Sequence, residues 1–205
     1  MSQLKLTYFD VDGGRGEPIR LALHIGGIEF EDDRFPLSDF AEVRQSLPLK
    51  QVPVLELDGK AITQCNAICR FVGKQTGLYP NDLYLALLCD EIIEALEDVT
   101  NHLVRTFGLQ GDDLKAKREA LVEGPFTRYL RWAESRLKEN GGDFFVGDSL
   151  TIADLKVLVW TNSLRSGHLE YVPTDSVSRI APELERHRER LMAYSPIANY
   201  YSNRR

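Results

Sequence analysis

The spacing of hydrophobic residues changes once along this chain, near residue 80. Before Pro80, apolar residues alternate with polar ones or form short runs between turn residues, which is typical of β-strands mixed with helices. After Asp82 they recur every three or four positions, as in amphipathic helices. This change predicts an α/β domain over 1–79, a linker at 80–84 and an all-α domain over 85–205.

The first domain is predicted to contain parallel and antiparallel strand pairs. Asp58-Gly59 is a typical two-residue hairpin turn, and Gly26 and Gly77 are typical of positions that follow a helix. The strand, helix, strand order at its start requires a crossover between parallel strands. Strands are expected at 4–9, 29–35, 54–57 and 60–62, and helices at 18–25 and 64–76.

The second domain is predicted to begin with a long helix that carries acidic residues away from its apolar face. Thr151 and Asp154 form a capping-box-like pair, which we interpret as a helix start and nothing more. Helices are expected at about 85–107, 114–138, 152–165 and 182–193.

The composition is that of an ordinary folded chain, with 43% hydrophobic and 27% charged residues in 205. A net charge of −6 disfavours nucleic-acid and anionic-membrane partners and favours small molecules. The three cysteines have no metal-ligand or Cys-x-x-Cys spacing, so we expect a reducing, cytoplasmic location. We expect neither a signal peptide nor a membrane anchor, because no apolar run approaches the roughly 18 residues that span a bilayer.

Several separated segments resemble the cytosolic glutathione transferases, in order and over essentially the whole chain. The N-terminal segments are most similar to the sigma class. The segments are 5–9 with 13–20, Gln51-Val52-Pro53-Val54-Leu55, Gln64-Cys65-Asn66-Ala67-Ile68 and 147–154. The resemblance implies a thioredoxin-like domain that binds glutathione as co-substrate and a helical domain that forms the pocket for a hydrophobic electrophile. It also implies a detoxifying transferase without a metal, assembled as a homodimer.

The resemblance assigns the catalytic role to Tyr8 and Arg15. A cysteine-type thiol has a pKa near 8.5, so glutathione needs help to ionise at neutral pH. The Tyr8 phenol would donate a hydrogen bond to the sulfur, and a bond of roughly 1.5–3 kcal/mol lowers the thiol pKa by one to two units. From the residues alone, a strand tyrosine is more often a packing residue.

The resemblance also assigns the binding of the glutathione backbone. Val52-Pro53 matches a cis-proline position at which an extended peptide pairs with the Val52 backbone. Gln64 and Cys65 begin a helix, whose positive end attracts the γ-glutamyl carboxylate. The family usually has serine at Cys65, and a thiol is the weaker donor, so we expect weaker glutathione binding. Cys65 is alternatively a reactive or redox-sensing thiol.

The remaining site residues are implied by the resemblance, and as isolated charges or aromatics they would be ordinary surface residues. Arg44 or Lys50 would meet the glycine-end carboxylate, and Asp98 would reach the γ-glutamyl amine across a dimer interface. The rim of the glutathione site would include Phe40 and Gln51. The electrophile pocket would comprise Phe9, Gly14, Val104, Arg105, Phe107 and Gly108.

Other functions remain open on the same fold. One is isomerisation or peroxide reduction with glutathione, and another is a non-catalytic ligand-binding or structural protein, which Cys65 favours. A disulfide oxidoreductase of the thioredoxin type is disfavoured, because no Cys-x-x-Cys motif follows the first strand.

Overall fold

The computed structural model describes residues 3–203. Residues 1–2 of the predicted first domain and 204–205 of the predicted second domain lie outside the described residues. The N-terminal part contains four strands and three α-helices. These are β1 (Leu4–Phe9), α1 (Glu17–Ile25), β2 (Glu31–Phe35), α2 (Phe40–Val43), β3 (Val54–Leu57), β4 (Lys60–Ile62) and α3 (Cys65–Thr76).

The four strands form one mixed sheet in the order β2-β1-β3-β4. The pair β1 and β2 is parallel, whereas β3 is antiparallel to β1 and to β4, as the sequence predicts. β2 begins at Glu31 and not at Glu29, because Glu31 is the first residue that has a partner on β1, namely Lys5. With the helices that follow, this sheet confirms a thioredoxin-like α/β domain.

The stretch between β2 and β3, predicted to be irregular or partly helical, contains α2 between two short 3-10 turns, Leu37–Asp39 and Pro48–Lys50. Leu49 and Lys50 both have positive φ angles, of 53° and 51°. Few residues other than glycine adopt this conformation, so the chain makes a tight reversal here before it enters the sheet.

The C-terminal part, as far as residue 203, contains helices and no strand. They are α4 (Leu83–Val104), α5 (Gly111–Leu121), α6 (Thr127–Glu139), α7 (Ile152–Arg165), α8 (Ser176–Ile180), α9 (Pro182–Ala193) and α10 (Ser195–Ser202). α4 begins inside the predicted linker because Asp82 caps it, with its carboxylate accepting the N–H groups of Tyr84 and Leu85 at 2.9 Å. It ends at Val104, three residues before the predicted end.

The helix predicted at 114–138 is two helices joined by a π-helical turn, Val122–Phe126. Pro125 lies in this turn, and proline has no N–H to continue the regular α-helical hydrogen bonds. The predictions for α7 and α9 are confirmed. The helices α8 and α10 were not predicted, because helices of five and eight residues show too little periodicity to be recognised.

The central helix of the molecule is α7, of which 11 residues are buried. It packs against α1 and α3 of the first part and α4, α8 and α9 of the second, so both parts share one core. Asp154 does more than begin the helix. Its buried carboxylate also accepts the N–H of Phe145 and contacts His187 Nε2, each at 3.0 Å, which ties α7 to the preceding loop and to α9. Within residues 3–203, no helix has the length and apolar character to cross a membrane.

Candidate active site

A cleft of about 1970 Å³ runs between the sheet domain and the helices. Its first wall is formed by the end of β1, the glycine loop at 13–16, the stretch at 50–53 and the start of α3. Its second wall is formed by α4 and the end of α7. The resemblance implies a site at this position, between the two domains.

Tyr8 lies at the bottom of this cleft, and the glycine loop packs directly on its ring. A Cβ atom on Gly14 would lie 2.4 Å from the Tyr8 hydroxyl oxygen, and one on Gly16 would lie 2.4 Å from ring atom Cδ1. Neither position has room for a side chain unless the ring moves. The two glycines are therefore required by the position of Tyr8.

The Tyr8 hydroxyl is a proton donor that is held in place by the backbone. The N–H of Arg15 donates to the Tyr8 oxygen over 2.9 Å, and within residues 3–203 no group accepts the phenol proton. Burial raises the pKa of Tyr8 to about 12, although the Arg15 hydrogen bond acts in the opposite direction. The phenol therefore keeps its proton at neutral pH and has it available for a ligand in the cleft.

The Arg15 side chain fastens the glycine loop to α4. Its Nε donates to Glu97 Oε1 over 2.7 Å, and its Nη2 donates to Asn101 Oδ1 over 2.9 Å. Neither Glu97 nor Asn101 was predicted to bind Arg15. They lie 82 and 86 positions away from it, and no local sequence pattern relates them to the glycine loop. The contact fixes the backbone N–H that holds Tyr8.

Two backbone features mark the same wall of the cleft. The Val52-Pro53 peptide bond is cis, as the resemblance predicts, and within residues 3–203 no backbone group pairs with the N–H or C=O of Val52. Gln64, just before α3, has φ 75° and ψ 103°, which is unusual for a residue other than glycine. Such conformations concentrate at ligand sites, where surrounding structure maintains them.

Cys65 borders the cleft at the first turn of α3 and is 7% exposed. Its Sγ lies 3.3 Å from the carbonyl oxygen of Arg15, 4.0 Å from Cys69 Sγ and 3.9 Å from Lys156 Nζ. The hydrogen bond with Cys69 lowers the pKa of the Cys65 thiol to about 7; burial opposes this effect, and the charge of Lys156 adds to it.

Lys156 is a buried cation beside the cleft that was not predicted from the sequence. It comes from the middle of α7, and its Nζ contacts Asn66 Oδ1 at 2.5 Å and Glu97 Oε2 at 3.6 Å. The available signal was a single lysine in the otherwise apolar run from Leu155 to Trp160. A charge in such a run predicts a buried partner, because an unpaired buried charge is too costly.

Most of the other predicted site residues line the cleft. Asp98 does not: it lies on the exposed side of α4, with the Tyr129 hydroxyl 3.5 Å from its carboxylate. Arg105 and Gly108 are exposed and lie outside it too, although Phe107 between them lines it. The residues that do line it are Phe9, Phe40, Arg44, Lys50, Gln51, Val104 and Phe107.

The family models of two glutathione S-transferase domains match this chain. The N-terminal domain model matches residues 4–74, and the C-terminal domain model matches residues 97–204. The chain therefore belongs to the glutathione S-transferase family.

Individual relatives agree with this assignment. The chain is 35% identical over 171 residues to "Glutathione S-transferase 1" of Ascaris suum, and the match covers 81% of each chain. Among solved structures, prostaglandin synthase D of Nilaparvata lugens is similar with a TM-score of 0.86 and 26% identity over 99% of both chains. Monomeric Na-GST-3 of the hookworm Necator americanus has a TM-score of 0.85 and 29% identity over 99% of this chain and 98% of that one.

Proposed function

We propose that in this glutathione transferase Tyr8 stabilises the thiolate of glutathione for attack on a hydrophobic electrophile. The observation that carries the proposal is the unshared proton of Tyr8, held in the cleft by the Arg15 backbone. Because its pKa is about 12, the phenol acts as a hydrogen-bond donor and not as a base. The thiol loses its proton to solvent, and the Tyr8 hydrogen bond lowers the free energy of the resulting anion.

Glutathione is proposed to bind as an extended strand beside Val52, whose backbone groups have no partner within residues 3–203. Its γ-glutamyl carboxylate would meet the free N–H groups at the start of α3, beside Gln64 and Cys65. Arg44 and Lys50, both on the cleft, supply positive charge for the glycine-end carboxylate. Phe40 and Gln51 border this end of the site.

The electrophile is proposed to bind beside the sulfur position, against apolar side chains from both domains. Phe9 comes from β1, and Val104 and Phe107 come from the end of α4. The last two are 38% and 59% exposed, so an apolar ligand would cover a surface that now faces solvent. Gly14 borders this space beside Tyr8, while Arg105 and Gly108 would contact only a ligand that extends beyond the cleft.

A homodimer is the proposed assembly. Leu83, Tyr84 and Leu87 are 88%, 66% and 62% exposed on the first turns of α4, an apolar group that a second subunit would cover. Asp98 lies on the exposed side of the same helix, which suits a role in the partner's site. Because the hookworm relative Na-GST-3 is described as monomeric, analytical ultracentrifugation is the direct test.

We propose that the chain belongs to the sigma-like class, on the basis of its N-terminal motifs. We propose a cytoplasmic location because the three cysteines are all free.

Glutathione-dependent isomerisation is the second candidate activity, which the similarity to prostaglandin synthase D of Nilaparvata lugens favours. Product analysis separates the two activities. A transferase retains glutathione in the product, whereas an isomerase returns it unchanged.

The test of the proposed function compares native protein with Tyr8→Phe in the conjugation of glutathione to an aryl halide at mildly acidic pH. We expect a native rate well above background and a large loss in Tyr8→Phe. The control is Tyr194→Phe, since Tyr194 is exposed and lies off the cleft. Equal rates in native and Tyr8→Phe proteins would refute the role of Tyr8.

A further inference from the structure

Cys65 and Cys69 form a pair of thiols that the transferase mechanism does not use. They lie one turn apart at the start of α3, with their sulfur atoms 4.0 Å apart. Residues four apart in an α-helix have Cα atoms roughly 6 Å apart, which is within the span of a disulfide. The N–H groups in the first turn of a helix have no intrahelical partners. This turn therefore changes its backbone conformation more easily than the rest of the helix when the two sulfurs approach each other.

The two thiols differ in reactivity. Cys65 borders the cleft, whereas Cys69 is fully buried behind it. The contact with Cys65 and burial both raise the pKa of Cys69, so Cys69 remains a thiol and donates to the Cys65 sulfur. Cys65 is therefore the thiolate that reacts first with a molecule in the cleft, and Cys69 is the thiol that reacts second, with Cys65.

The charges around Cys65 favour its anion. Lys156 is 6% exposed and places its Nζ 3.9 Å from the Cys65 sulfur. The Arg15 guanidinium, bound to Glu97, also lowers the pKa of Cys65. The Arg15 carbonyl oxygen acts against the anion, because it lies 3.3 Å from the Cys65 sulfur and accepts the proton of the neutral thiol. Glu97 on α4 is the opposing negative charge, and it is shared between Arg15 and Lys156. Glu94 on the same helix also acts on Lys156 and is itself paired with Arg70. The cation nearest the Cys65 sulfur is Lys156, and its charge favours the thiolate.

We propose that Cys65 and Cys69 are a peroxide-reducing thiol pair in the wall of the cleft, a second activity beside glutathione conjugation. The Cys65 thiolate attacks the terminal oxygen of a hydroperoxide, the O–O bond breaks, and the alkoxide takes a proton from solvent to leave as the alcohol. Cys65 is oxidised to a sulfenic acid, and the peroxide is reduced.

Cys69 then resolves the sulfenic acid. Its sulfur attacks the Cys65 sulfur, the S–O bond breaks, and hydroxide leaves as water with the Cys69 proton. Two glutathione molecules reduce the disulfide in succession by thiol exchange, giving both thiols and glutathione disulfide. Glutathione enters only in this last step, so oxidation of the pair does not rest on the proposed conjugation.

The experiment treats glutathione-free protein with cumene hydroperoxide, alkylates the remaining thiols and digests with trypsin. Cleavage after Lys60 and Arg70 gives a peptide of residues 61–70 that contains both cysteines. We expect this peptide to lose its two alkylatable thiols, become lighter by two hydrogen atoms and recover with glutathione. One molecule of cumyl alcohol should form for each disulfide.

Three variants complete the test. Cys65→Ser, which introduces the residue usual in the resembling family, should slow peroxide consumption by about ten-fold or more. Cys69→Ser should stop at a sulfenic acid on Cys65 that dimedone traps. Cys89→Ser should behave like native protein, because Cys89 is fully buried and burial raises the pKa of its thiol to about 12.

The proposal is overturned if peptide 61–70 keeps both thiols, if its cysteines are oxidised only to sulfinic acid, or if Cys65→Ser consumes peroxide at the native rate. Tyr8→Phe separates the two activities. This variant should lose conjugation and still form the disulfide. Failure of the transferase proposal and failure of the thiol-pair proposal therefore give different results.

Discussion

The backbone N–H of Arg15 donates a hydrogen bond of 2.9 Å to the hydroxyl oxygen of Tyr8, and this contact decides what the tyrosine can do. An oxygen that accepts from the loop directs its own proton elsewhere, and the open direction is the cleft. The Arg15 side chain holds the loop on α4 through Glu97. The Arg15 backbone therefore positions the Tyr8 phenol, and the Arg15 side chain keeps that backbone in place.

Tyr8→Phe should raise the pKa of bound glutathione by one to two units, which corresponds to loss of a hydrogen bond of about 1.5–3 kcal/mol to the sulfur anion. Native protein should hold the thiolate at lower pH, so its conjugation rate should level off at lower pH than that of the variant. Ultraviolet absorbance of the bound thiolate against pH measures the shift. Because the Tyr8 pKa is about 12, the native rate should not fall through phenol ionisation anywhere near neutral pH.

Gly16→Ala should reduce conjugation by about ten-fold or more, since small displacements of a catalytic group have large effects on rate. The new methyl group would lie 2.4 Å from the Tyr8 ring and force it to move. The matched control is Gly124→Ala, where a Cβ meets nothing within 4 Å. Steady-state kinetics of the two variants give the comparison, and equal activity would contradict the packing role of Gly16.

Cys65→Ser should bind glutathione more tightly, by about ten- to thirty-fold in Kd, which corresponds to about 1–2 kcal/mol for a stronger donor to the γ-glutamyl carboxylate. Isothermal titration calorimetry measures the change. Cys89→Ser is the control, because Cys89 is fully buried and does not line the cleft. An unchanged affinity in Cys65→Ser would show that backbone N–H groups alone hold the carboxylate.

Asp154→Ala should lower the free energy of unfolding by about 3 kcal/mol or more, since it leaves buried donors without their acceptor. The groups concerned are the N–H groups of Phe145 and Thr151, at 3.0 and 2.9 Å, together with the His187 ring. Urea denaturation measures the loss. Asp148→Ala, at an exposed position on the same loop, should remain near native stability, and equal losses would contradict the role of the buried carboxylate.

The elements that form the first wall of the cleft were predictable because local sequence marks them, whereas the roles of their residues were implied by the resemblance. Tyr8 lies next to the end of an alternating strand, the glycines follow it, and Gln64 and Cys65 lie at the start of a periodic helix. The end of the site formed by α4 was predicted less well. Arg105 does not line the cleft, since small differences in where a helix ends and how it is rotated change which residues face inward. Asp98 was assigned to the site of a partner subunit, and that assignment stays a prediction.

The sequence by itself determined the two kinds of domain, the mixed sheet, the hairpin at Asp58-Gly59 and the start of α7, because each depends on periodicity or turn chemistry within a few residues. Only the tertiary structure decided that Lys156 meets Cys65 across 91 positions and that Glu97 meets Arg15 across 82. Such contacts depend on how α7 and α4 pack against α3 and the glycine loop. Packing of distant elements follows from the whole buried core, which no local pattern encodes.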